Sequence, residues 1–138
     1  MFISSQMKGA YLLIMEAPED VSIMIGKLGL YYFKKGYYVY VGSALVGLDR
    51  RIQRHLRHSK KVHWHIDYFL PFAKIVRIFY KTNTQKEECC IAKAFEKEFS
   101  NIAGFGCSDC SCSSHLFTGS FEEISRKAYD LGMSVYVL

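Results

Sequence analysis

The sequence contains no apolar run near the ~18 residues that cross a bilayer, which argues against a membrane-spanning helix. Met1 to Lys8 lack the basic stretch and apolar segment of a secretory signal, so a cytoplasmic location with no membrane partner is expected. Internal repeats, low-complexity segments and linkers are also missing, and there are only two prolines. A chain of 138 residues then fits one domain, residues 1–138. A domain of that size buries roughly 68% of its unfolded surface. With 50% hydrophobic residues against 22% charged, disorder is disfavoured. Five cysteines (Cys89, Cys90, Cys107, Cys110 and Cys112) make an odd count in a chain read as intracellular, which disfavours a full disulfide framework.

Acidic residues are scarce where basic ones are dense. Residues 49 to 61 carry Arg50, Arg51, Arg54, Arg57, Lys60 and Lys61 against Asp49 alone, so this segment holds the whole net charge of +5. The other 125 residues balance at 12 basic and 12 acidic. A local surplus with His55 and His58 inside it points to a phosphate-rich partner or, failing that, to a solvated helix face.

The pattern of elements is that of a small α/β (α+β) domain, with a mixed or antiparallel central sheet flanked by helices. Tyr11 to Met15 reads as a strand, Val21 to Tyr32 as a hairpin-like pair, Tyr37 to Val41 as a strand, and Ala73 to Lys81 as another. Leu48 to Arg57 and Gln85 to Phe99 have helical periodicity, and Ser120-x-x-Glu123 is a capping box for a third helix ending near Gly132. His63 to Leu70 reads as a short helix or an irregular connection, residues 104 to 119 as a loop, and Val135 to Val137 as a last strand.

Gly42-Ser-Ala-Leu-Val-Gly47 has the start of a nucleotide-binding P-loop but continues Leu48-Asp49 where Lys-Ser/Thr is required, which excludes that reading. A glycine-bounded turn opening a helix remains, and its backbone N–H groups suit an anion. On a wheel at 100° per residue, Leu48, Ile52 and Leu56 define the buried direction of this helix, and Arg50, Arg54 and Arg57 point roughly 140 to 160° away, toward solvent. Arg51 and His55 fall on the shoulder, roughly 100° and 60° from the core direction. In the helix from Gln85, Glu88 heads the buried row Ala92, Phe95 and Phe99, where a carboxylate should be paired, metal-bound or at a cleft rim. A shoulder arginine, an inward glutamate and tyrosines on nearby strands form a minimal set for phosphodiester chemistry.

Gly9-Ala10-Tyr11, Tyr40-Val41-Gly42, Leu48-x-x-Arg51-x-x-x-His55 and Glu88, in that order, resemble the GIY-YIG nuclease superfamily. Tyr-Val-Tyr-Val-Gly-Ser-Ala (38–44), His-Trp-His-Ile-Asp-Tyr (63–68) and the run 104–117 more closely resemble an uncharacterised GIY-YIG-like family (domain of unknown function 123), whose members occur alone or fused to endonuclease III-type repair glycosylases. The resemblance covers residues 8 to 138. It implies that Tyr11 and Tyr40 line a site, one of them helping to orient or deprotonate a water, that Arg51 contacts the scissile phosphate, that His55 assists proton transfer or phosphate binding, and that Glu88 is the single protein ligand of Mg²⁺ or Mn²⁺. The expected function is a metal-dependent DNA endonuclease or DNA-repair nuclease. The alternative is a catalytically inactive module that binds nucleic acid, DNA before RNA, for a repair glycosylase. Arg50, Arg54, Arg57, Lys60, Lys61, His63 and His65 are the expected nucleic-acid contacts.

His63, His65 and Asp67 alternate around Trp64, and a histidine hydrogen-bonded to the aspartate is the leading structural reading. Cys107-x2-Cys110-x-Cys112-x2-His115 offers four zinc-type ligands in nine residues. Structural zinc draws on two separated knuckles and Cys-x-Cys is a poor bite, so reduced packing cysteines are preferred to zinc there.

Overall fold

The computed structural model describes residues 7–44, 47–57, 60–82, 87–106 and 112–137. Strand β1 (Gly9–Ala17) is buried along nearly all of its length, so both of its faces are covered. Alternation sends Tyr11, Leu13 and Met15 into one apolar core and Ala10, Leu12 and Ile14 into another. The molecule is therefore layered, with β1 near the centre of the middle layer.

A hairpin of β2 (Val21–Met24) and β3 (Leu30–Phe33) follows, joined through a single 3-10 turn at Gly26–Leu28. This is the hairpin-like pair expected over Val21 to Tyr32. Strand β4 (Gly36–Ala44) returns beside β1, and α1 (Leu48–Leu56) and α2 (His65–Phe69) come next. Strand β5 (Lys74–Thr82) pairs with the other edge of β1, with a register shift between Ile14 and Met15. The chain continues through α3 (Glu88–Glu96), β6 (Ser100–Asn101), β7 (Leu116–Gly119), α4 (Phe121–Asp130) and β8 (Ser134–Val135). The sheet order is β6-β7-β4-β1-β5-β8, and each described pairing is antiparallel. This is the small α+β domain expected. Among the described residues no helix is long and apolar enough to cross a membrane.

The first core joins Leu48 and Ile52 of α1, Ile66 and Phe69 of α2, and Ile23 and Phe33 of the hairpin. The second joins Ile91 and Phe95 of α3 with Ile124 and Ala128 of α4. Full burial of each of these large aliphatic or aromatic side chains contributes about 1.5–3 kcal/mol. Ser120 caps α4 as its capping box predicts, accepting from the Glu123 N–H at 3.1 Å and donating to its carboxylate at 3.0 Å.

Two expectations need correction. The stretch 104–119 is not all loop: Leu116–Gly119 is β7, with Leu116 and Phe117 fully buried on opposite faces beside β4. Four residues between His115 and Ser120 carry too little periodicity to declare a strand, and the edge of β4 supplies it. Helix α3 is shorter than its pattern, since Phe99 lies beyond its end yet packs on Phe95 with ring centroids 5.2 Å apart. Residues Gln85 and Lys86, where that helix was expected to begin, lie outside the described residues.

The glycine that opens β1 has a steric reason. A Cβ there would stand 2.2 Å from the Lys81 carbonyl oxygen and 3.0 Å from the Thr82 Cα, both backbone atoms of β5. Paired backbone cannot yield as the end of a flexible side chain can. Gly9→Ala is expected to cost about 1–3 kcal/mol, seen as a lower urea midpoint, and an unchanged midpoint would contradict this packing.

Candidate active site

Period-two alternation puts Tyr11 and Tyr40 on the same face of adjacent strands, with ring centroids 6.4 Å apart. Helix α1 crosses that face and lowers His55 onto them. The Tyr11 hydroxyl and His55 Nε2 are 2.6 Å apart, and Tyr11 and His55 are 1% and 2% exposed. Gly42 makes room for this pair. A Cβ at Gly42 would fall 2.3 Å from Tyr11 Cζ and 2.4 Å from its hydroxyl oxygen.

Burial sets the proton positions. Desolvation lowers the His55 pKa to about 3, and the neighbouring Arg54, Arg51 and Lys60 charges push the same way against the opposing pull of Asp67. The imidazole is therefore neutral at pH 7. Desolvation also raises the Tyr11 phenol well above its ordinary value, outweighing the Arg51 guanidinium beside it, which favours the ionised form. Burial raises Tyr40 as well, reinforced by Tyr11 and Glu88. The imidazole tautomer sets which of Tyr11 and His55 Nε2 donates in this bond. Among the described residues, buried His55 Nδ1 has no hydrogen-bond partner.

Beside this pair, at the end of β4, Ser43 joins two charged groups. Arg51 donates from Nη1 to the Ser43 carbonyl at 3.0 Å, and the Ser43 hydroxyl donates to Glu88 Oε1 at 2.7 Å. Helix α1 covers one face of the sheet and α3 the other, so Arg51 and Glu88 reach the same strand end from opposite layers. Glu88 Oε2 lies 3.3 Å from Nδ1 of buried His115, which also faces the Val41 carbonyl at 3.1 Å. The structure thus brings together Tyr11, Tyr40, Arg51, His55 and Glu88. Ser43, which the sequence reading passed over, is their junction; its position in the strand-ending Gly-Ser-Ala was the available signal.

The outward basic face divides. Arg50, Arg57 and Lys61 are exposed, as is His63, whose ring meets the edge of Trp64. Arg54 is not solvent-facing as the wheel predicts: its side chain is 17% exposed and makes a two-pronged bond to Asp67, both contacts at 3.0 Å. Trp64 has the Arg51 and Arg54 guanidinium carbons 4.3 and 4.4 Å from its ring centroid. Asp67 is buried and also accepts the backbone N–H groups of His63 and Trp64. Burial acts to raise its pKa, but these donors outweigh it and the net shift is downward. Lys60 is turned back as well, its ammonium donating to the carbonyls of His55 and Arg57 at the end of α1. His65 Nδ1 accepts the Gly106 N–H at 2.8 Å and its ring packs on Phe105, so neither it nor His63 gives Asp67 an imidazole partner. The anion-suited start of α1 is also partly taken, since the Leu48 N–H bonds the Met7 carbonyl at 2.7 Å.

Of the candidate zinc run, Cys107 and Cys110 lie outside the described residues. Cys112 and His115 instead approach Cys89 of α3, a cysteine outside the expected ligand run, with the three ligand atoms within 4.8 Å of one another. The requirement for a second, distant knuckle was the signal that could have found it.

The features define an α+β domain in which Arg51 and Glu88 meet at Ser43 beside a buried tyrosine–histidine pair. The family model described as "Domain of unknown function DUF123" matches residues 10–135, and the chain belongs to that family. No curated protein and no solved structure matches the chain.

The unfolded imidazole takes its proton near 6.5 and the folded one only near about 3. Acidification through that window thus favours the unfolded chain, and the stability present above pH 6.5 is lost progressively below it. The His55 ring resonances are expected to show no protonation between pH 8 and about 4.5, whereas a titration centred near pH 6 would contradict the buried neutral pair.

Proposed function

We propose that this chain is a metal-dependent phosphodiester hydrolase acting on DNA, of the GIY-YIG type that its motifs resemble. The observation that carries the reading is the convergence of Arg51 and Glu88 on Ser43 beside the 2.6 Å Tyr11–His55 hydrogen bond. Glu88 presents carboxylate oxygens at a half-buried position, a donor set that fits a hard divalent ion keeping most of its waters. Such an ion supplies charge neutralisation at the phosphate and a water of lowered pKa.

Arg51 has a forked guanidinium suited to a phosphate oxygen, and the Ser43 carbonyl and the Trp64 face hold it at the cleft. The phenol of Tyr11 stays protonated at neutral pH, so its use as a proton acceptor depends on passing its own proton to His55. Burial holds that imidazole neutral down to about pH 3, so Tyr11 keeps its proton and serves to orient the site and not to accept a proton. Tyr40, adjacent to both rings, borders the space in which a water is oriented. Arg50, Arg57 and Lys61 lie on the exposed side of the same helix and the segment after it, where they would meet neighbouring phosphates.

The test is a cleavage assay on nicked, branched and abasic DNA with Mg²⁺ or Mn²⁺, run beside a binding assay. Glu88→Gln and Arg51→Ala are expected to lower cleavage by about 100-fold or more while DNA affinity changes far less. Arg57→Ala should weaken binding uniformly and reduce the salt slope by about one. Cleavage by Glu88→Gln equal to the parent's contradicts the hydrolase, and salt-dependent binding without cleavage of any substrate replaces it with the binding module.

A further inference from the structure

The cluster beside the cleft has a chemistry of its own, independent of the hydrolase reading. Cys89 comes from the first turn of α3, and Cys112 and His115 from the segment leading into β7. Their ligand atoms lie within 4.8 Å of one another. Tetrahedral Zn²⁺ holds such donors roughly 3.5–3.8 Å apart, so closing the set takes movements of about an ångström, within reach of side-chain torsions.

The surroundings select the kind of ion. Cys112 packs in the second apolar core with Ile91 and Phe95, and His115 is 1% exposed. Two sulfurs and an imidazole suit a borderline or soft ion and not Mg²⁺ or Ca²⁺. His115 is also held from one side by polar partners. Its Nδ1 faces two acceptors, the Val41 carbonyl at 3.1 Å and Glu88 Oε2 at 3.3 Å, so the ring proton sits on Nδ1 and the lone pair on Nε2. A carboxylate or carbonyl behind a ligating histidine is the usual outer support of a zinc-type site.

We propose that Cys89, Cys112 and His115 form a binding site for one Zn²⁺-class ion, held through two thiolates and His115 Nε2, with both thiol protons released to solvent. The ion ties the start of α3 to the segment before β7, across the second core. Because His115 also touches Glu88, it fixes that carboxylate at the end of β4. Cys90, the exposed neighbour on α3, takes no part.

The full chain, reduced and stripped with chelator, is titrated with Zn²⁺ and separately with Co²⁺. One equivalent of zinc per chain is expected, with thiolate-to-cobalt charge-transfer absorption in the cobalt form. Zinc should protect Cys89 and Cys112, but not Cys90, from alkylation mapped by mass spectrometry, a readout that needs no variant to fold. Cys112→Ser should weaken zinc binding by more than the 10- to 100-fold that loss of an outer partner typically costs, and Cys90→Ser should leave it unchanged. Absence of stoichiometric zinc binding overturns the site. So does alkylation of Cys89 in the zinc-loaded chain, since the ion would then belong to residues 107–115 alone, and so does a Cys89–Cys112 disulfide in a protein that takes up no zinc when reduced.

Discussion

One hydrogen bond between two buried polar groups, Tyr11 on β1 and His55 on α1, organises the molecule around the cleft. Either group alone in that apolar face would leave a desolvated polar atom costing about 1–3 kcal/mol. Each therefore requires the other, and the requirement fixes how α1 lies across the sheet. It also requires that Gly42 have no side chain, because the Tyr11 ring occupies the volume a Cβ would fill. The glycines of the two strand motifs thus answer to different neighbours: Gly9 to the backbone of β5, and Gly42 to an aromatic ring.

Above that pair the structure manages a dense positive charge. Arg51 and Arg54 on one short helix and Lys60 after it crowd the same region, and each of them lowers the His55 pKa. Asp67 offsets part of this, and its carboxylate is held by Arg54 and by two backbone N–H groups at the start of α2. Trp64 lies against both Arg51 and Arg54, so one ring and one carboxylate set the positions of two guanidinium groups. Arg54 is spent on this arrangement. Arg51 is held on the Ser43 carbonyl near Glu88, and Arg50 and Arg57 remain at the surface.

What was legible in the sequence follows from what is local. Strand alternation in Tyr11–Met15 and Tyr37–Val41, and the period of Leu48, Ile52 and Leu56, are properties of single elements, and the inward lean of Arg51 and His55 could be read from the helix, whereas the shared face of the tyrosines depends on how β1 and β4 pair. The wheel misplaced Arg54 because it describes one helix in isolation, whereas α2 folds back and brings Asp67 to it. The same limit hid Ser43 as a junction and Cys89 as a partner of Cys112, since both depend on α3 reaching the end of β4 from the opposite layer. Strand β7 was obscure for a related reason: its four residues become a strand through the edge they pair with.

The central claim is that Arg51 and Glu88 face one phosphodiester across the end of β4, above an intact Tyr11–His55 pair. A crystal structure grown with Mn²⁺ and a short DNA duplex tests it most directly. The account predicts a manganese ion on Glu88 and a backbone phosphate on Arg51, with the tyrosine–histidine hydrogen bond unchanged beneath them. Manganese located away from Glu88, or DNA held only by Arg50, Arg57 and Lys61 with no phosphate at Arg51, would contradict it.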